Sequence, residues 1–88
     1  MHYVYFIESQ IDKSVYVGYT SDLINRLKEH NAGKTRSIKS KRPYTLLYYE
    51  AYLTSTQARK REIEIKSSWS KKEQVLKRIT IEAPSSSG

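Results

Sequence analysis

The 88-residue chain carries sixteen Lys and Arg against nine Asp and Glu, a net charge of +7, and no cysteine. A chain this short builds one small core, which excludes a deep, wholly enclosed active site and favours a shallow site on the surface of the fold. The missing thiols exclude disulfides, zinc–thiolate centres and thiol catalysis. No apolar run is long enough to span a bilayer, and Met1-His2-Tyr3-Val4 does not start a signal-peptide pattern, so a cytoplasmic protein without membrane contact is expected.

His2 to Glu8 alternates, with Tyr3, Tyr5 and Ile7 on one face and Val4 and Phe6 on the other, the period of a strand. Residues 9–14 form a turn, and Val15 to Tyr19 a second short strand, so the pair reads as a hairpin. Ser21 or Asp22 caps a helix over roughly 22–32 that Gly33 ends. Residues 34–42 hold a single apolar residue, Ile38, and read as a basic, mobile loop closed by Pro43. Tyr44 to Tyr52 is a third strand. Thr54-Ser55-Thr56 caps a second helix to about Ser68. Ser70-Lys71-Lys72-Glu73 matches a capping box and opens a short third helix to about Ile79. Residues 81–88 form a low-complexity, disordered tail. The expected fold is α+β: one domain over residues 1–80, a three-stranded antiparallel sheet flanked by helices in the order β-β-α-β-α-α.

The charge is uneven. Residues 26–42 carry Arg26, Lys28, Lys34, Arg36, Lys39, Lys41 and Arg42 against Glu29 alone, and residues 59–78 carry eight bases against three acids. Residues 43–58 between these blocks hold Glu50 as their one charge. Two basic blocks flanking an aromatic strand point to phosphate contacts, with solvated solubilising surfaces as the alternative.

Three groups of polar residues fall where apolar ones belong. At 100° per residue Ala58, Ile65 and Trp69 share one helical stripe, and Glu62 falls inside it with Lys66 alongside. A carboxylate there needs a partner: an ion pair with Lys66 or an Arg, or a role as metal ligand or general base. Leu23, Leu27 and His30 share one face of the first helix with Arg26 at its edge. His30 is then either a packed core residue or, four residues from Arg26, its companion on one phosphate. Tyr3, Tyr5 and Tyr16 cluster on the hairpin, as core or as reactive phenols. Gly18 in mid-strand signals a bulge or a close backbone approach. Together these groups would equip phosphodiester hydrolysis.

The ordered set Tyr3-Val4-Tyr5, Tyr16-Val17-Gly18, Arg26, His30 and Glu62 resembles the GIY-YIG nuclease superfamily. The resemblance covers roughly residues 2–79. It is closest to the small stand-alone branch related to the cleaving domain of the bacterial excision-repair nuclease, through Tyr16 to Leu23, Arg26-Leu27, His30-Asn31, Arg42-Pro43 and Glu62 with Lys66. It implies one divalent metal, Mg²⁺ or Mn²⁺, held by Glu62. Tyr5 would be the proton acceptor for the attacking water, Tyr16 would position that water or the phosphate, Arg26 would stabilise phosphate charge, and His30 would be a catalytic helper. The first motif reads Tyr-Val-Tyr in place of Gly-Ile-Tyr, and Tyr19 stands where the repair nucleases place a Lys.

Three readings follow. The first is a metal-dependent endonuclease acting on DNA, branched or damaged DNA included, in DNA repair and with a targeting protein as a candidate partner. The second is a nucleic-acid-binding module that keeps the fold with weak or no catalysis, gripping its ligand through Lys34, Arg36, Lys39, Lys41, Arg42 and Lys66. The third is a structural or protein-interaction domain. Glu62, which repels phosphate, favours the first.

Overall fold

The computed structural model describes residues 1–33 and 41–82, and of 80–82 the backbone alone. Its elements are β1 (His2–Ser9), β2 (Val15–Thr20), α1 (Leu23–Asn31), β3 (Tyr44–Tyr52), α2 (Ser55–Ser67) and α3 (Trp69–Glu82). This is the expected α+β order. The strands form one sheet in the order β2-β1-β3, so the first strand in sequence is the central one. Both ladders are antiparallel, and Tyr5 lies opposite Gly18 on one side and Tyr49 on the other.

Alternation along β1 divides the core in two. Val4 and Phe6 join Val17, Ala58, Ile65 and Val75 under α2 and α3. Tyr5 and Ile7 join Tyr44 on the opposite face, with Leu23 and Leu27 of α1 packed against them. The β1–β3 register shifts between Phe6 and Ile7: Phe6 faces Tyr48 and Ile7 faces Leu46. The extra residue lets Leu47 and Tyr48 both meet the first core while Leu46 turns to the second.

The helix ends follow local chemistry. Asp22, not Ser21, caps α1 by accepting from the Asn25 N–H at 3.1 Å. Gly33 ends the helix at φ +79°, a left-handed conformation that suits glycine. Thr54 and Gln57 form a reciprocal capping box at the start of α2.

Three sequence expectations are corrected here. The Ser70–Glu73 box does not open α3, because the helix already begins at Trp69 and Ser70 lies in its first turn. Helix α3 runs on to Glu82, so residues 81–82 of the expected tail are helical and 83–88 lie outside the described residues. Trp69 is 70% exposed, not part of the buried stripe. Ser68 is extended (φ −134°, ψ 107°), so the helical phase that holds Ala58 and Ile65 in the core is lost before Trp69.

One ion pair locks α2 onto the sheet. Glu50 points into the α2 side, its side chain 15% exposed. It accepts Arg61 Nε at 2.9 Å and Nη2 at 3.3 Å, Tyr52 Oη at 2.6 Å and Tyr48 Oη at 2.9 Å. Burial raises the pKa of this carboxyl, but the donors of Arg61, Tyr52 and Tyr48 outweigh it and hold the value below the ordinary one. Stability from this group is therefore present above the ordinary carboxylate range and is lost as pH falls through the lowered value.

Arg61→Ala strips the guanidinium from a largely buried carboxylate and should destabilise the fold by about 2 kcal/mol, read as a lower urea midpoint at neutral pH. An unchanged midpoint would mean that α2 is held by its apolar contacts alone.

Candidate active site

The site grows from the pairing of Tyr5 with Gly18. Paired residues project from the same face of the sheet, and the Tyr5 ring lies flat across Gly18: a Cβ at position 18 would come within 2.5 Å of Tyr5 Cζ and closer still to its hydroxyl. Gly18 therefore serves a close approach, and the sheet's irregularity lies elsewhere, between Phe6 and Ile7. With its ring laid over β2, the Tyr5 hydroxyl reaches His30 Nε2 at 2.8 Å in a buried hydrogen bond. His30 is 1% exposed. Its ring meets Tyr5, Tyr16 and Tyr44 at centroid distances of 5.7, 5.6 and 6.3 Å.

Arg26 and Glu62 flank this pair from different helices. Arg26, one turn before His30 on α1, keeps 42% of its side chain exposed and contacts Glu29 at 3.4 Å. His30 turns inward and Arg26 outward, so the two do not share an open surface. Glu62 comes from α2, its side chain 15% exposed, and accepts Lys66 Nζ at 2.9 Å. The ion pair expected as one alternative for Glu62 is thus present. The Lys66 ammonium also lies 5.6 Å from the centroid of the Tyr16 ring, the other aromatic wall.

The electrostatics follow from burial. Burial is the main cause that pushes the Tyr5 phenol well above its ordinary value; Tyr16, Glu62 and Glu29 push the same way, and Arg26 opposes them. Burial, then Arg26, lowers His30 below the ordinary imidazole range. At neutral pH the pair is a protonated phenol and a neutral imidazole. Arg26 pulls the Tyr5 phenol down, but burial outweighs it.

Among the described residues no group of three or more His, Cys, Asp or Glu gathers as a ligand set. Glu62 is a single carboxylate that already holds a cation, the Lys66 ammonium. That fits a Mg²⁺ or Mn²⁺ ion that keeps most of its waters and takes one protein oxygen, provided that Lys66 moves aside.

Of the other expected contacts, Lys34, Arg36 and Lys39 lie outside the described residues. Lys41 pairs with Asp12 at 2.9 Å, beside the β1–β2 turn. The Arg42 guanidinium packs where a side chain at Gly33 would stand, at the C-terminal end of α1. Tyr19 points to the α2 side, where it stacks on His2 and lies under Arg59, on the face opposite Tyr5.

Two contributors, Asn31 and Glu50, were visible in the sequence but carried no assigned role there. Asn31 holds the first residue of β3 with both ends of its amide, accepting the Tyr44 N–H at 2.6 Å and donating to the Tyr44 carbonyl at 3.2 Å. This brings Tyr44 against His30. The available signal was an Asn at the last helical position, just before the terminating glycine. Glu50 carried a plainer signal as the lone charge in an aromatic strand.

Two outcomes test this geometry. Gly18→Ala should lower stability by about 1–3 kcal/mol, because neither strand backbone nor buried ring yields easily; an unchanged melting temperature would show that the Tyr5 ring is not held over β2. His30 titrates below its unfolded value, so the unfolded chain binds more protons and its stabilising effect is full only above the ordinary imidazole range. Unfolding free energy should fall as pH drops from about 6.5, and that slope should be weaker in His30→Gln.

The comparisons with known proteins agree with this arrangement. The family described as the GIY-YIG catalytic domain matches residues 1–75. A UPF0213 protein of Haloquadratum walsbyi is 42% identical over 76 residues, 85% of this chain and 84% of the relative. One from Staphylococcus haemolyticus is 42% identical over 67 residues, 75% and 80% of the two chains. The solution NMR structure of a UPF0213 protein from Bacillus halodurans superposes with a TM-score of 0.55 at 37% identity, covering 86% of this chain and 82% of that one. The UPF0213 designation specifies no activity. The family is a nuclease superfamily whose members act on nucleic acid and generally use divalent metals. With the match spanning nearly the whole folded region, and with Tyr5, Gly18, Arg26, His30 and Glu62 drawn together, this chain belongs to the GIY-YIG family.

Proposed function

We propose that this protein is a metal-dependent endonuclease that hydrolyses phosphodiester bonds in DNA. The observation that carries the proposal is the buried Tyr5–His30 hydrogen bond at 2.8 Å, flanked by the Arg26 guanidinium on α1 and the Glu62 carboxylate on α2. A domain that only binds nucleic acid gains nothing from a largely buried Glu62 beside a phenol.

In this reading the scissile phosphate lies between Arg26 and Glu62. Arg26 places its planar fork on the non-bridging oxygens. Glu62 would hold a divalent ion, Mg²⁺ or Mn²⁺, which would supply Lewis-acid stabilisation of developing charge. Lys66, released from Glu62, turns its ammonium to the phosphodiester, and Tyr16 orients the attacking water. Tyr5 is too well protonated at rest to act as a phenolate. It acts instead as a relay: its hydroxyl oxygen takes the proton of the attacking water while its own proton passes to neutral His30 Nε2. The water oxygen bonds to phosphorus, the bond to the leaving oxygen breaks, and that oxygen takes a proton from solvent. His30 releases its proton afterwards, which its lowered pKa favours.

Lys34, Arg36, Lys39, Lys41 and Arg42 supply duplex contacts in this proposal. Branched or damaged DNA, a role in repair, a targeting protein and a cytoplasmic setting complete it. No helix among the described residues is long and apolar enough to cross a membrane. The Lys66–Glu62 contact favours one second reading, a binding module in which the carboxylate serves only as an ion-pair partner.

The test is nicking of supercoiled plasmid and of a branched DNA with Mg²⁺ or Mn²⁺. Glu62→Gln should abolish nicking with melting temperature and DNA affinity near wild type, and Tyr5→Phe should cost about 100-fold. Activity should fall as pH drops below the ordinary imidazole value, because protonated His30 cannot accept. Tight, salt-sensitive binding without nicking in the wild type would overturn the enzyme in favour of the binding module.

A further inference from the structure

We infer that the groove running from Tyr16 to Trp69 along the β2 edge is a stacking site for an unpaired nucleobase, with Lys66 and Lys72 taking the adjoining phosphates. The inference rests on the nucleic-acid reading above and specifies which form of strand enters the site.

Four observations carry it. The groove has a volume of about 310 Å³ and begins at Tyr16, a wall of the candidate active site. At its far end Trp69 is 70% exposed, although an indole is among the side chains that gain most from burial. Each ring carries an ammonium: Lys66 Nζ lies 5.6 Å from the Tyr16 centroid and Lys72 Nζ 5.9 Å from the Trp69 centroid. Val15 and Ile65 provide an apolar floor between them. Paired flat π-faces and point cations match a nucleotide, with a base for the ring and a phosphate for the ammonium. The bases of a duplex are stacked on each other and cannot supply that face, so the occupant is an unpaired stretch of strand.

Two other occupants fit less well. A partner strand added to β2 would need the carbonyls of that edge, but Lys72 Nζ already donates to the Val15 carbonyl at 3.4 Å. A second copy of the chain would bring another net charge of +7 to a groove lined by two lysines.

Trp69 is the only tryptophan in the chain, so its emission reports on this groove alone. The experiment titrates the full-length protein, with EDTA and no metal, with a short oligothymidylate, with a DNA duplex of equal charge and with inorganic polyphosphate. Anisotropy of labelled DNA is followed in parallel. The expected result is saturable quenching of Trp69 by oligothymidylate, with little change on duplex or polyphosphate. Trp69→Leu should weaken single-strand binding about tenfold, one base–aromatic stack, and leave duplex affinity unchanged. Because Trp69 is exposed, the variant should keep its melting temperature. Lys72→Ala retains the fluorophore as a second variant, and should lower the salt slope on the single strand by about 0.7. Tight oligothymidylate binding without quenching, or equal losses on single strand and duplex in Trp69→Leu, would overturn the groove and leave the nuclease reading standing. Failure of every DNA to bind would overturn both. No metal is present, so loss of nicking in the earlier assay has no bearing on the outcome.

Discussion

The central constraint is the burial of β1 on both faces. Val4, Tyr5, Phe6 and Ile7 are four consecutive buried residues, a pattern that an antiparallel strand adopts only when elements cover both sides of its sheet. One of the four carries a hydroxyl. A buried phenol needs a partner, and His30 of α1 supplies it at 2.8 Å. The ring can lie in that direction only because position 18 on the neighbouring strand has no side chain. The placement of α1, the glycine and the histidine thus follow from one hydroxyl group on the middle strand.

The two faces of the sheet do different work. The α2–α3 face carries most of the aliphatic core and the Glu50–Arg61 lock. The α1 face is a cluster of tyrosines around one imidazole. Glu62 belongs to the first layer by its helix and to the second by its field, since it acts on Tyr5. The site is therefore assembled around the sheet edge at β2, which explains how so small a domain can gather a carboxylate and a guanidinium near one phenol without a deep cavity.

The titratable and charged groups of the site are neutral or paired nearby. The phenol is protonated, the imidazole is neutral and the Glu62 carboxylate holds the Lys66 ammonium. Arg26 keeps a half-exposed guanidinium that contacts the Glu29 carboxylate at 3.4 Å. Such a resting arrangement avoids the desolvation cost of an uncompensated buried charge. In the proposed reading an incoming phosphate would meet the half-exposed side chains of Arg26 and Lys66.

The sequence by itself determined the element order and the strand faces and narrowed the N-cap of α1 to Ser21 or Asp22, because alternation, helical phase and capping are local and are written in neighbouring residues. It also singled out Tyr5, Tyr16, Gly18, Arg26, His30 and Glu62, since polar groups on apolar faces and a glycine inside a strand break local rules. Local rules failed at Trp69 and Ser70, where one extended residue, Ser68, resets the helical phase that a projection assumes to be continuous. Only the tertiary structure decided that His30 faces the Tyr5 hydroxyl, that Asn31 clamps Tyr44, that Lys66 rather than an arginine holds Glu62, and that burial outweighs Arg26 in setting the Tyr5 pKa. Apart from the Glu62–Lys66 pair, which lies within one helix, those outcomes depend on distances and desolvation between residues far apart in the chain, which composition and spacing do not encode.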